Sequence, residues 1–392
     1  MLNTFFADMH IHIGRDIDYN PVKITASKRL TLTNILKEAS RHKGIQLIGV
    51  IDCHAPAVQK EIMMLLDTGQ AEELSDGGIQ FENVTLLLGA EIEVYDDACQ
   101  GPIHVLCFLP TLEKMACFST WLAKRMTNIT LSSQRYYGTA KELQYKVKEL
   151  AGLLIPAHIF TPFKSLYGKG VKQSLAEVFD PDLIDAVELG LSSDTEMADR
   201  IKELHSYTFV TNSDAHSLPK IGREYQQIQM NHPSFKEFEW ALHNVRGRQI
   251  VKNYGMDPRL GKYYTTVCHD CHTALTLRHK RCLSCESTHI IKGVSDRIEE
   301  LASSEESTSS NLKRPAYLYQ VPLEYLPSLG PKTYETLLYH FQTEMNVIHT
   351  VPIDDLKKVI SEKLAQFIIQ MRQGKLHIKA GGGGRYGSVS SS

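Results

Sequence analysis

The stretch Thr4-Phe5-Phe6-Ala7-Asp8-Met9-His10-Ile11-His12 decides the architecture. Residues 4–9 are apolar enough for a buried strand. His10 and His12 stand two apart, so in extended backbone their imidazoles point to the same side. Working outward, short apolar runs recur at 46–51, 84–88, 104–109, 153–157, 186–189 and 208–211. Between them lie helical patterns such as Leu32, Ile35, Leu36 and Ala39, spaced to share one face. Repeated alternation of strand and helix implies an α/β fold with a mainly parallel sheet or a barrel. Polar residues just after the strands then fall at one rim, where barrel active sites are built.

Histidines and carboxylates sit at these strand ends with regularity. Asp52-Cys53-His54 closes the second run, Glu91 follows the third, and His104 opens the fourth. His158 ends the fifth, and Asp214-Ala215-His216 ends the last. A single buried histidine is usually a hydrogen-bonded core residue. Three His-x-His or Asp-x-His pairs, each at a strand end, resist that explanation, because every buried polar group would need its own partner. Imidazole and carboxylate are instead the ligands of zinc, manganese and iron, and a carboxylate such as Glu91 can bridge two ions. Two ions activate water and neutralise both oxygens of a phosphoester displacement, so phosphoester hydrolysis is the most economical reaction class and needs no serine or cysteine nucleophile. His104 and His216 can alternatively serve as general acid or base.

The set His10-x-His12, His54, Glu91, His104, His158 and Asp214-x-His216 resembles the polymerase and histidinol phosphatase (PHP) superfamily. The resemblance implies a distorted (β/α)7 barrel holding two or three metal ions, with these eight residues as ligands and Asp8 or Asp52 as extras. His10, His12, Glu91, His158, Asp214 and His216 are the expected catalytic set. One departure is visible: the superfamily's second motif commonly reads Thr-Asp-His, whereas Cys53 here separates Asp52 from His54.

Composition narrows the remaining classes. The 392 residues, 42% hydrophobic and 22% charged, suit two or three domains and exclude a small disulfide-stapled fold. No apolar run approaches the ~18 residues of a membrane span. The start, Met1 to Ala7, lacks the basic and long apolar regions of a secretory signal, so the expected location is cytoplasmic. Formal charge is −2, which argues against a protein coated in basic residues. The halves nevertheless differ in sign, with 18 basic and 14 acidic residues in 250–392 against 25 and 31 in 1–249.

After Tyr254-Gly255 the strand-helix period breaks, giving an expected boundary for a first domain, 1–254. Cys268-x-x-Cys271 and Cys282-x-x-Cys285 then present four thiolates on two knuckles, the donor set of a structural zinc site, in an expected domain of 255–302. Arg278 and Arg281 lie between and on the knuckles, where they can meet phosphates or stay solvated. Residues 303–319, containing the polar run SSEESTSS, read as a linker, and 320–380 as a helical region. Within it Leu326-Pro327-Ser328-Leu329-Gly330-Pro331-Lys332-Thr333 is similar to a helix-hairpin-helix element, whose backbone N–H groups grip a DNA phosphate. Leu356 to Met371 holds one apolar face and reads as a single long helix. The glycine- and serine-rich end, 381–392, reads as a flexible tail that contacts DNA or recruits a replication or repair partner.

This whole arrangement, in this order, resembles the endonuclease Q family from about Thr4 to Tyr386. The resemblance implies hydrolysis of the phosphodiester 5′ to deaminated bases (uracil, hypoxanthine, xanthine) and to abasic sites. It also implies a zinc in the four-cysteine site and two or three catalytic divalent ions, zinc first, with manganese or magnesium as alternatives. The expected DNA contacts are Arg15, Lys164, Arg278, Arg281, Gly330, Lys332 and Thr333. A small-molecule phosphoesterase of the histidinol phosphatase type is the main alternative, for which residues 250–392 would be dispensable. A non-catalytic DNA-binding module is the second.

Overall fold

A computed structural model describes residues 1–261, 263–276, 280–302, 314–379 and 388–390. All seven apolar runs form strands: β1 (Asn3–Ile11), β2 (Leu47–Val50), β3 (Val84–Val94), β4 (Ile103–Leu109), β5 (Leu153–Pro156), β6 (Ala186–Glu188) and β7 (Thr208–Val210). β1, β2 and β3 run parallel; β4 runs antiparallel to both β3 and β5. The Asp185 N–H donates to Leu154 O at 3.1 Å and joins β5 to β6, which pairs in parallel with β7. The ring closes where Ala215 bridges Ile11, with the N–H of His12 reaching Ala215 O at 3.1 Å. The result is a distorted seven-stranded barrel.

The sheet is mixed rather than mainly parallel. Only residues 95–102 separate β3 from β4, too few for the crossover that parallel neighbours need. Beyond β1 the sheet continues through antiparallel β8 (Tyr225–Met230) and β9 (Gln249–Gly255) to β10 (Ala316–Tyr319), which is parallel to β9. The end of the expected linker is therefore a strand. Its tyrosines favour a pleated, half-buried surface, and Arg314 ties its start to Asp199 at 2.9 Å.

Inside the barrel Ala7, Met9, Leu47, Leu87, Phe108, Ile155 and Val210 form a buried cluster beneath the histidines. Gly49 and Gly89 admit the Phe108 ring: a Cβ on either would stand 2.8 or 2.9 Å from it. Outer helices such as Leu112–Ala123 and Ala140–Glu149 begin on Thr111 and Thr139, whose side chains cap N–H groups of the first turn.

Val267–Cys268 pairs with Ile290–Ile291 in the four-cysteine segment. Helix Val294–Leu301 then returns to the barrel, where Arg297 donates to the carbonyls of Tyr167, Val171 and Lys172. Four helices follow: Pro331–Phe341, Glu344–His349, Ile353–Val359 and Glu362–Arg372. The last two were expected as one. Ile360 is extended, and Ser361 starts a new helix by accepting the Leu364 N–H at 3.4 Å. Apolar periodicity runs through the break, since Leu356, Leu364, Phe367, Ile368 and Met371 are all buried. At the expected tail, Ser388–Ser390 pairs antiparallel with His377–Lys379, while Gly381 to Tyr386 lies outside the described residues. No helix among the described residues is long and apolar enough to cross a membrane.

Candidate metal centre

At the barrel rim two groups of three face one another. His10, His12 and Asp214 form the first, and Glu91, His104 and His158 the second. His10 Nε2 lies 3.4 Å from Asp214 Oδ1 and 3.6 Å from Glu91 Oε1, while His12 Nε2 lies 3.6 Å from both Asp214 Oδ1 and Glu91 Oε2. His104 Nδ1 is 2.7 Å and His158 Nε2 3.5 Å from Glu91 Oε1. Glu91 thus faces both groups. A tetrahedral ion with metal–nitrogen bonds of 2.0–2.1 Å separates its donors by about 3.4 Å.

The residues fit such ions in a second respect. Buried His10 Nε2 and both ring nitrogens of His104 make no hydrogen bond. Opposite ring atoms are already engaged. His10 Nδ1 lies 2.9 Å from Glu188 Oε1, and His12 Nδ1 3.1 Å from Asp52 Oδ2. With the proton on each Nδ1, the Nε2 lone pairs face the centre, the carboxylate–histidine–metal arrangement that orients ligands. His158 and Asp214 adopt left-handed backbone, at φ 32° and 46°, which non-glycine residues adopt at a cost and which gathers at functional sites.

Electrostatics follow from this crowding. Burial alone would depress His10, but Glu188, Asp214 and Glu91 lift it to about 10. Burial and the nearby Lys23 ammonium push His12 down to about 4. Against the effect of burial, His12 holds Asp52 down at about 2, and His104 and Lys23 hold Glu91 well below the carboxylate range.

The other expected residues take distinct places. His216 packs its ring 4.6 Å from that of His12 and lines the cavity, although it joins neither group. His54 is buried with Nε2 3.3 Å from Leu131 O, also outside both groups. Asp8 accepts the N–H groups of Ser213 and Gly222, so it pins the loop carrying Asp214 rather than facing the centre. Asp52 orients His12 and accepts the Ile13 N–H at 2.7 Å. Sequence reading missed Glu188, which also accepts the His158 N–H at 2.8 Å, and Lys23, 3.3 Å from Glu91. A carboxylate inside the apolar run Ala186-Val187-Glu188-Leu189 was the available signal for the first.

A cavity of about 830 Å³ opens over the centre, lined by Lys23, Phe163, Lys164, Lys220, Arg223 and Tyr263 among others. Of the expected DNA contacts, Lys164 is on this wall and pairs with Glu93 at 2.7 Å. Arg15 is half-buried and turns back on Gly14 O. Gly330 and Lys332 are exposed and Thr333 half-buried at the start of helix Pro331–Phe341, after a left-handed turn at Ser328 with φ 70°. Arg281 is exposed, and Arg278 lies outside the described residues.

Cys268, Cys271, Cys282 and Cys285 converge, with sulfurs 3.5 Å apart for Cys268–Cys285 and 3.4 Å for Cys271–Cys282 and no disulfide. A four-thiolate zinc site with 2.3 Å bonds separates its sulfurs by about 3.8 Å. Only Cys268, Leu275 and Cys282 with partly buried Ile290 form the local core, too small to hold the segment alone. Side-chain and backbone donors of Thr273 bring the Cys271 thiol down to about 6, toward the thiolate that binds metal.

The PHP-associated family model matches residues 193–246, the segment carrying Asp214 and His216. The chain is 52% identical over 388 residues to the uncharacterised protein YqxK of Bacillus subtilis (strain 168), covering 99% of this chain and 100% of that protein. The lesion-specific endonuclease PfuEndoQ from Pyrococcus furiosus superposes with a TM-score of 0.83 at 33% identity, over 99% of this chain and 95% of that one. Endonuclease Q in complex with a 27-mer duplex bearing an abasic lesion at its active site gives a TM-score of 0.84 at 32% identity, over 100% of this chain and 97% of that one. Likeness at this identity spans the barrel, the cysteine knuckles and the C-terminal helices together, and so the chain belongs to the endonuclease Q family of metal-dependent PHP enzymes.

Proposed function

We propose that the protein is a DNA repair endonuclease that hydrolyses the phosphodiester 5′ to deaminated bases and abasic sites. The observation that carries this reading is the position of Glu91, whose carboxylate faces both donor groups at the floor of a cavity of about 830 Å³. His10, His12 and Asp214 hold one divalent ion and Glu91, His104 and His158 a second, with His216 beside them and His54 behind. Bound there, the ions lower the pKa of a water toward ~7 and neutralise charge on the phosphoryl oxygens. The chain's own groups do the rest. Glu188 and Asp52 fix the tautomers of His10 and His12, and the carbonyls of Ser213 and Asp214 hold Arg223 at the cavity wall. Water oxygen bonds to phosphorus, the P–O3′ bond breaks, and the water proton passes to O3′.

The cavity volume falls in the range that encloses a small ligand, so an extruded nucleotide fits it. Phe163, exposed and 5.5 Å edge-to-face from Tyr263, offers a ring at its mouth. Turning a nucleotide out costs a few kcal/mol, least for a mismatched or missing base, which favours lesions. The four cysteines carry a structural zinc, and exposed Lys332 with the N–H groups of Gly330 and Thr333 meets the DNA backbone. Duplex oligonucleotides with one uracil, hypoxanthine, xanthine or abasic site, incubated with zinc, manganese or magnesium, test this. One incision 5′ to the lesion is expected; no incision of any duplex, with turnover of small phosphomonoesters, would sink it.

A further inference from the structure

The cavity holds a cation that the metal reading leaves without a task. Lys23 lies on the loop after β1, sewn in place by its own N–H to Ile13 O at 2.8 Å and by the Ser132 N–H to Val22 O at 2.9 Å. Its side chain is 16% exposed, and Nζ is 2.6 Å from Ser133 Oγ and 3.3 Å from Glu91 Oε2. The other cations on this wall are committed elsewhere: Lys164 to Glu93, Lys220 to Glu324, and Arg223 to the carbonyls of Ser213 and Asp214. Lys23 alone among them touches the carboxylate shared by both donor groups.

Charge explains what it is for. Four buried or half-buried carboxylates touch the histidines of the first group, namely Glu91, Asp214, Glu188 and Asp52. Two divalent ions balance them, the histidines being neutral as ligands. Lys23 then leaves a surplus of one positive charge beside ions that already occupy the Glu91 oxygens, a repulsive arrangement in a site of low dielectric. A phosphodiester carries one negative charge and relieves it.

We propose that Lys23 is a catalytic residue whose ammonium, held by Ser133, donates to a non-bridging oxygen of the scissile phosphate. This rests on the phosphodiesterase reading above. Ser133 fixes one N–H direction and leaves the others for the phosphate. As the phosphoryl group passes through its transition state, a fixed point charge of this kind acts where charge is redistributed. It also makes a third divalent ion in the barrel electrostatically superfluous.

The full chain loaded with manganese tests the proposal through Lys23→Met. Expected are an unchanged ion count by elemental analysis, an unchanged melting temperature, and an at least ~10-fold weaker affinity for inorganic phosphate by calorimetry. On a duplex with one abasic site kcat is expected to fall ~10²–10³-fold, the loss usual for one oriented donor. Wild-type phosphate affinity or kcat in the variant overturns the role, and so does loss of barrel ions, which marks Lys23 as a structural counter-charge. Lys23→Gln, able to keep a hydrogen bond to Ser133, carries the same measurements should the methionine variant not fold. If the wild-type chain fails to cut the duplex, the phosphodiesterase reading fails, while the phosphate titration still decides what Lys23 binds.

Discussion

At the scale of single residues, the chemistry of the centre is divided between side chains that face it and side chains that turn them. Glu188 is the clearest of the second kind, since it holds His10 Nδ1 and the His158 N–H together. Glu188→Gln keeps the shape but loses the charge, and metal affinity in a competition titration is expected to fall ~10–100-fold. His10→Ala and Asp214→Ala are expected to abolish strand cleavage while leaving DNA binding, read by fluorescence anisotropy, largely intact. A separate carboxyl sets a pH dependence. Burial raises Glu224 to about 8, with Oε1 accepting the Met256 N–H and Oε2 unpaired among the described residues. A folded-state pKa above the unfolded one means that stability is complete at acid pH and declines as pH rises toward 8. The Glu224→Gln variant is expected to lack that decline, gaining on the wild type by roughly 4 kcal/mol between pH 5 and 8.5 in urea denaturation. The histidine pairs were legible in sequence because period two at a strand end leaves few explanations but convergence. Glu188 was not, because one carboxylate in a short apolar run reads as core strand, and Lys23 was not, because loop geometry alone brings it back to Glu91.

At the scale of elements, buried strands could be read because they are continuous apolar runs, and all seven appeared within a few residues of their expected ends. β8 escaped because it reads Tyr-Gln-Gln-Ile-Gln-Met, and its buried Gln226 is satisfied by Ala7 O and Asn212 rather than by an apolar neighbour. Helix ends were less legible than helix faces: periodicity crosses Ile360 and Ser361 without registering the cap. The four-cysteine knuckles were legible in full, since two C-x-x-C pairs carry their chemistry in their spacing. Their dependence on metal is a prediction of this scale. Structural zinc contributes ~10–16 kcal/mol in comparable small modules, far more than Leu275 and Ile290 can bury. Cys282→Ser is therefore expected to lose one zinc by native mass spectrometry and to open 263–302 to protease, while the barrel keeps its own melting transition. Retention of that zinc with unchanged stability would refute the assignment.

At the scale of the whole molecule, the question is what holds the C-terminal helices to the barrel and how the assembly meets DNA. Lys43, on the turn after Leu32–Lys37, is buried with its ammonium 2.5 Å from Glu344, which also accepts the Tyr334 hydroxyl at 2.9 Å. Removing one member of a buried pair strands the other, at a typical cost of 3–5 kcal/mol. Lys43→Met is expected to lower stability by about that much, and Lys43→Met with Glu344→Leu by less. The charge on this assembly is nearly neutral, which sequence arithmetic took as an argument against nucleic acid. The structure locates the reason that the argument fails. Much of the acidity of residues 1–249 is gathered at the metal centre, and the cations of the cavity are already paired with Glu91, Glu93 and Glu324. DNA then meets few free lysines and arginines, with the bound ions supplying the attraction at the scissile phosphate. Affinity for a lesion duplex measured between 50 and 200 mM salt is expected to fall with a shallow slope, that of about three or four displaced counterions, and to fall sharply on chelation. A slope near ten, unaltered by chelation, would mean that a basic surface elsewhere carries the binding, and the centre would then lose its claim to position the duplex.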